Sequence, residues 1–266
     1  MSCRGQFDGS RSVTKGIGVS ESELLPSYFD SVADSYGALY DPRTRTGTAK
    51  LFRIRLEAAA ELARDKSGPL LECASGTGEV TEAVLRSSGI GSAVINDLSP
   101  AMLDRCRDRL ARGVPAVSVA WHNEDVFELL DELRGMEFGL VLCLGLLAHV
   151  GRAELLLESL RGVTAPGGAV LLQASVLEHP GVRLVDRVVR AWPSRFPHQV
   201  VQTRLRDLVR LAERSGFEAA RIRRYGVCLP FGDRWAGRLN YEIERRLARR
   251  LSRRGGEAVI ELRRCS

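Results

Sequence analysis

Leu70-Leu-Glu-Cys-Ala-Ser-Gly-Thr-Gly-Glu-Val-Thr81 is a short apolar run that breaks into small residues and then takes up a helical pattern. The run reads as a buried strand, and the residues after Gly78 as the first turn of a helix. Gly76 and Gly78 let the backbone approach a ligand closely, and the helix N-terminus that follows offers unpaired N–H groups. Glu72, at the strand tip, is placed to receive cationic or hydroxyl groups. A lone Gly-x-Gly also serves plain tight turns, so the flanking sequence must decide.

Downstream, Val94-Ile-Asn-Asp-Leu-Ser-Pro-Ala-Met102 ends a second strand on Asp97. An acid about twenty residues past the glycines is where doubly wound folds bind a ribose diol. A third strand ends near His122-Asn-Glu-Asp-Val126. Three acidic strand tips on the carboxyl edge of one sheet mark a ligand site at the switch point of the strand order. Strand patterns occupy 69–74, 92–97, 116–121, 138–144, 169–175, 217–227 and 257–262. Helical patterns fall between them at 79–86, 100–111, 126–134, 152–163 and 203–214. Pro100 after Ser99 is a helix start, and Ala165-Pro-Gly-Gly-Ala169 is a turn that launches a strand. These alternations predict an α/β fold with a doubly wound, seven-stranded, mostly parallel sheet.

Two further helical patterns, 21–39 and 48–63, precede the sheet. They give a domain over 21–266, with 21–66 as an N-terminal helical cap and 176–202 and 228–255 as substrate-side insertions. Residues 1–20 are Gly/Ser-rich and aperiodic, the pattern of a disordered segment.

With 44% hydrophobic and 27% charged residues among 266, the chain has the balance of a soluble globular protein. Its longest apolar run, 140–150, is broken by Gly145 and His149, which excludes a membrane span. The start, Met1-Ser-Cys-Arg-Gly5, lacks the apolar core of a secretory signal, so a cytoplasmic location is expected. Six scattered cysteines form no Cys-x-x-Cys pair, so neither a disulfide framework nor a metal site is expected.

The net charge of +6 hides an asymmetry: residues 183–264 carry 21 Arg against 9 acids, residues 1–182 carry 18 Lys plus Arg against 24 acids. A basic end suits an acidic substrate, a membrane surface or nucleic acid. Within it, Leu239, Ile243, Leu247 and Leu251 form a helical stripe flanked by Arg245, Arg246, Arg249, Arg250, Arg253 and Arg254. Either the stripe packs on the domain and the arginines are solvated, or 239–254 is a basic interfacial helix that touches a membrane surface.

Glu72-Cys-Ala-Ser-Gly-Thr-Gly78 resembles the glycine-rich first motif of class I S-adenosylmethionine-dependent methyltransferases, which have a Rossmann-like sheet. Asp97-Leu-Ser-Pro-Ala-Met-Leu103 resembles their second motif and Asn123-Glu-Asp-Val126 their adenine-contacting third. Phe138-Gly-Leu-Val-Leu-Cys-Leu-Gly-Leu-Leu-Ala-His-Val150 is similar to the fourth. Tyr28-Phe-Asp-Ser-Val-Ala-Asp-Ser-Tyr-Gly-Ala-Leu-Tyr40 is like the N-terminal capping helix of small-molecule members. The resemblance covers 25–175 well and 203–263 loosely. Two departures stand out. Ala74 replaces a frequent glycine, which a methyl should tolerate, and Gly139 replaces a frequent aspartate, which removes any polar contact of that side chain.

The resemblance implies S-adenosylmethionine as cofactor. It places Glu72 and the backbone of Ala74, Ser75 and Gly76 around the methionine part, with Tyr28 and Tyr36 from the capping helix. Asp97 would bind the ribose hydroxyls, Leu98 and Met102 would flank adenine, and Asp125 and the Val126 N–H would meet its edge. Leu144 would face the methionine amine. Met102 has a second reading as plain core.

Methyl transfer from a sulfonium is an in-line displacement in which the protein positions the acceptor and excludes water. His149, past the fourth strand, is the candidate base, and Tyr36 would close over the sulfonium or orient the acceptor. Packing roles are open for both. His179 and His198 lie in the connection after the fifth strand, as acceptor-pocket or surface residues. Leu144-Gly-Leu146 in place of Asn/Asp-Pro-Pro-Tyr argues against exocyclic-amine methylation of nucleobases. The absence of a Pro-Cys pair leaves a cytosine C5 route unsupported. The expected activity is methylation of a small molecule, natural-product or lipid-like, with an O- or C-centre weakly favoured. An anionic or lipid-like acceptor is the partner that the basic end suggests. The alternative is an RNA or protein methyltransferase served by the basic third, although no aromatic-rich RNA platform is visible.

Overall fold

The computed structural model describes residues 21–191, 202–229 and 232–265. The expectation for 1–20 and the position of His198 lie outside them. β1 (Leu70–Cys73), β2 (Ser92–Asn96), β3 (Ser118–His122), β4 (Phe138–Cys143), β5 (Thr164–Ser175), β6 (Phe217–Tyr225) and β7 (Glu257–Arg264) form one sheet in the order β3-β2-β1-β4-β5-β7-β6. The first five pair in parallel, and β7 runs antiparallel to both neighbours. The fold is therefore the Rossmann-like, mostly parallel sheet that the sequence predicts. Its strand order reverses between β1 and β4.

The central strands are apolar on both faces because helices cover both. On one face Leu71, Val141 and Val170 pack with Leu129, Leu156, Leu160 and Leu208. These come from α5 (Val126–Glu132), α7 (Ala153–Val163) and α9 (Leu205–Arg214). On the other face Leu70, Leu140, Leu142 and Leu171 pack with Ala59, Leu62, Val84 and Leu103. Those belong to α2 (Gly47–Ala63), α3 (Glu79–Ser88) and α4 (Pro100–Gly113). α1 (Glu21–Tyr36) precedes them, and α6 (Leu147–Val150) follows β4.

Gly139 is required by its surroundings. A Cβ there would lie 1.8 Å from the carbonyl oxygen of Ser67, and the Gly139 N–H donates to the Pro69 carbonyl at 3.0 Å. What the sequence shows as a lost polar contact is a close approach of the 67–69 loop to β4.

Two connections take a form that the sequence pattern does not settle. The segment after β5 contains a helix, α8 (Pro180–Ala191), capped by His179 Nδ1, which accepts from the N–H groups of Gly181 (3.1 Å) and Val182 (3.3 Å). His179 is buried in that role rather than lying on the surface. In α10 (Asp233–Leu251) the apolar stripe turns largely to solvent: Leu239 is 61% exposed, Leu247 and Leu251 are also exposed, and Ile243 is half-buried. The buried face carries Asn240 and Glu244 instead. The Glu244 carboxylate accepts from the N–H groups of Gly226, Val227 and Cys228 at 2.7–3.0 Å, so a polar face is buried and satisfied rather than the apolar stripe of the first of the two readings. No helix among the described residues is long and apolar enough to cross a membrane.

Candidate active site

The chain leaves β1 through Ala74, Gly76 and Gly78, all with positive φ. At Gly78 (φ +82) a Cβ would meet Cys106 Sγ at 2.6 Å, so only glycine lets α3 start beside α4. Ala74, at φ +64, is the only non-glycine residue with positive φ among the described residues. The turn is pinned to β2 by the Ser75 N–H, which donates to the Asn96 carbonyl at 2.9 Å.

Two carboxyl groups stand at this turn. Glu72 is buried at the end of β1, and its Oε2 has no hydrogen-bond partner. Burial, with the Asp97 charge nearby, pushes its pKa up to about 8. Asp97, past β2, is also buried. Its Oδ2 accepts from the Gly76 N–H at 2.7 Å and its Oδ1 from the Ser99 N–H at 2.9 Å. Burial raises the Asp97 pKa, while those two N–H bonds favour its anion. Each oxygen keeps a further lone pair for a ligand. Ser99 caps α4 by accepting from the Met102 N–H at 3.1 Å, as the Ser-Pro sequence predicts, and Asp97 is spared that task.

The neighbouring tips extend the site. Asn123 Nδ2 donates to the carbonyls of Asp97 (2.8 Å) and Leu98 (3.1 Å), which stitches β3 to β2. Leu98 is exposed at the rim and Met102 is buried. Asp125 caps α5 through the Phe127 N–H at 2.8 Å, with Val126 buried beneath it. His122, Glu124 and Glu132 bring ligand atoms within 4.8 Å of one another at the tip of β3, the grouping among the described residues best suited to a cation.

α1 crosses this edge. Asp30 Oδ1 accepts from the Ser99 hydroxyl and from the Ala101 N–H (3.3 Å), Asp34 pairs with Arg105, and the Tyr36 ring lies 3.6 Å from where a Gly76 Cβ would sit. Next to Asp30 in the chain, Phe29 meets His149 edge-on at 5.6 Å and Tyr28 edge-on at 5.3 Å. Leu144 is buried just past β4, and His149 is exposed on α6. The structure thus brings Tyr36, Glu72, Ala74, Ser75, Gly76 and Asp97 together. Asp125 and Val126 stand two strands away, and Tyr28, Leu144 and His149 lie on the β4 side.

A second cluster went unread in the sequence. Arg55 of α2 is buried, and its Nη2 donates to the Tyr40 hydroxyl at 2.6 Å. Glu257, opening β7, accepts from Ser175 Oγ (2.9 Å) and Gln173 Nε2 (2.5 Å), and burial pushes its pKa up to about 7. Tyr225 is buried at the end of β6, directly opposite Glu257. Arg55 shares the i, i+3, i+4, i+7 stripe with Ala58, Ala59 and Leu62, and a charge on an apolar stripe is the signal that marks it.

A family model described as a methyltransferase domain matches residues 70–168. The ubiquinone/menaquinone biosynthesis C-methyltransferase UbiE of Methylococcus capsulatus is 32% identical over 111 residues, 41% of this chain and 43% of that protein. The chain thus spans less than half the length of the curated relative it matches. Among solved structures, magnesium protoporphyrin IX methyltransferase from Synechocystis PCC 6803 with bound SAH superposes with a TM-score of 0.62 at 14% identity, covering 92% of this chain and 100% of that one. The pyocyanin biosynthetic protein PhzM superposes with a TM-score of 0.55 at 17% identity, covering 89% and 62%. Both share this fold.

Proposed function

We propose that the chain is a class I S-adenosylmethionine-dependent methyltransferase, an enzyme that methylates a small-molecule acceptor. The observation that carries the reading is the pair of buried carboxyl groups, Glu72 and Asp97, on either side of a left-handed turn at the β1–β4 switch point. A buried carboxyl oxygen without a partner, such as Glu72 Oε2, calls for a donor from a ligand. A zwitterionic amino-acid end joined to a ribose supplies such donors, so the residues fit S-adenosylmethionine.

In this reading Glu72 and the backbone of Ala74, Ser75 and Gly76 hold the amino-acid end, with Leu144 and Tyr28 beside it. Asp97 receives the ribose hydroxyls, Leu98 and Met102 flank the adenine, and Asp125 and the Val126 N–H meet its edge. When bound, the cofactor supplies an electrophilic methyl group. The protein orients the acceptor in line with it and excludes water, for which α1 with Tyr36 is suited. His149 takes the acceptor's proton where that proton needs removal. Residues 21–66 act as a cap, and the segments 176–202 and 228–255 shape the acceptor side.

The small-molecule reading, with an O- or C-centre, is supported by the fourth-motif sequence and by the kinds of relatives above. A lipid-like or anionic acceptor, met at a membrane surface by 239–254, draws support from exposed Leu239, Leu247 and Leu251 beside exposed Arg245, Arg246 and Arg250. The described cysteines are unpaired thiols, which suits a reducing, cytosolic setting.

Incubation with methyl-labelled S-adenosylmethionine and fractionated cell extract tests the proposal. Label should enter the small-molecule fraction, and His149→Ala should lower that transfer about a hundredfold while cofactor affinity stays within about threefold. Label confined to RNA or protein would replace the small-molecule reading.

A further inference from the structure

We propose that Arg55 anchors the acceptor and that the acceptor carries a carboxylate. The proposal rests on the reading above, with the acceptor taken to lie at the carboxyl edge of β4 and β5, beside Leu144 and on the His149 side. Buried arginines are nearly always paired, because a buried cation without a counter-charge is costly. Arg55 is not paired with a carboxylate among the described residues. Its Nη2 donates to the Tyr40 hydroxyl, its Cζ lies 4.3 Å from the centroid of the Phe52 ring, and its Nε is buried with no hydrogen-bond partner.

The two acids that feel its charge, Glu257 and Glu72, make no hydrogen bond or ion pair with it among the described residues. Glu257 spends its oxygens on Gln173 and Ser175, and burial keeps Glu257 and Glu72 protonated into the neutral range. Arg55 Nη1 comes within 3.3 Å of where a Cβ on Gly145 would sit, and Gln173 Oε1 within 3.8 Å of the same point. The guanidinium therefore reaches the floor between the ends of β4 and β5, one residue past Leu144. Phe52 stands edge-on to Tyr36 (5.6 Å) and Tyr40 (5.3 Å), which walls this floor with aromatic rings. A planar two-pronged donor matches a planar carboxylate, and aromatic walls suit a flat, conjugated body attached to it.

Benzoate and its neutral methyl ester are the probes, titrated by calorimetry into the full chain with and without saturating S-adenosylhomocysteine. Benzoate should bind in the millimolar range and the ester at least tenfold more weakly. Arg55→Gln should lose at least tenfold in benzoate affinity with the ester unaffected, Arg55→Lys should fall between, and both should keep S-adenosylhomocysteine affinity within about threefold. Equal binding of acid and ester, no benzoate binding at 10 mM (roughly −2.7 kcal/mol on the affinity scale), or unchanged benzoate affinity in Arg55→Gln would overturn the proposal. So would a tenfold loss of S-adenosylhomocysteine affinity in Arg55→Gln, since the anion would then be the cofactor's own. Should Arg55→Gln fail to fold, the acid–ester comparison and Arg55→Lys decide. If wild type does not bind S-adenosylhomocysteine, the cofactor reading fails on its own, and benzoate on the unloaded protein still reports on Arg55.

Discussion

Ala74 holds a left-handed backbone in which its Cβ crowds the following carbonyl. The Cβ-free residue relieves that crowding at some loss of chain entropy in the unfolded state. Ala74→Gly should therefore stabilise the protein by about 1 kcal/mol, measured by urea unfolding; no gain or a loss would show that the methyl makes compensating contacts. The converse holds at Gly139, where any side chain meets the Ser67 carbonyl. Gly139→Asp, the residue frequent at this position in the family, should cost about 3 kcal/mol, in the range of overpacked sites. Residue identities at the turn were readable, because glycines and strand-tip acids announce a ligand loop. The Gly139 contact was not, since it depends on how close the 67–69 loop comes to β4.

α10 shows where element-level reading succeeds and where it stops. Four-residue spacing of apolar side chains gives a helix, and a helix forms. Which face is buried was left open by the pattern and is settled by the N–H groups of 226–228, which converge on one point and demand an acceptor there. Glu244 meets that demand, and Asp233 does the same for the first turn of α2, accepting from Gly47 N–H (2.8 Å) and Thr48 N–H (2.7 Å). Glu244→Gln replaces one accepting oxygen by a donor that faces other donors. It should cost about 2–3 kcal/mol and speed hydrogen exchange at 226–228, whereas protection equal to wild type would refute the anchoring role. The cluster around Arg55 and Glu257 escaped for a related reason. Arg55 and Glu257 lie 202 residues apart in the chain, and only the pairing of β7 between β5 and β6 draws them to one edge.

For the molecule as a whole, the alternation of strands and helices and the parallel pairing of the first five strands follow from pattern alone. The insertion of β7 between β5 and β6 is a long-range choice that no local pattern encodes. Buried charge then sets how stability follows pH. Glu72 and Glu257 titrate near 8 and 7 in the fold, against about 4.5 for an ordinary glutamate. Between pH 4.5 and 8 the folded state thus binds more protons than the unfolded chain, and stability falls as pH rises. Glu261 acts in the opposite sense: Lys66, Arg221 and Arg263 hold its pKa low, so its contribution is lost only on acidification below the usual carboxylate range. The melting temperature should drop from pH 6 to pH 8, and Glu257→Gln should flatten that drop. A melting temperature constant across the interval would place both carboxyl groups in water.

The central claim is that the β1–β4 switch point is a nucleoside-cofactor site organised by Asp97. Calorimetric titration of S-adenosylhomocysteine into wild type, Asp97→Ala and Asp97→Asn tests it most directly. Asn preserves the shape and one accepting oxygen while its NH2 faces the other of the Gly76 and Ser99 N–H groups. Its melting temperature is therefore read beside its affinity, to separate loss of the charged ribose contact from loosening of the turn. The account predicts saturable, one-to-one binding by wild type and a loss of about thirtyfold, roughly 2 kcal/mol, in Asp97→Ala. Asp97→Asn should fall between in affinity, with a melting temperature below wild type because one backbone N–H then faces a donor. An Asp97→Ala dissociation constant equal to that of wild type would contradict it.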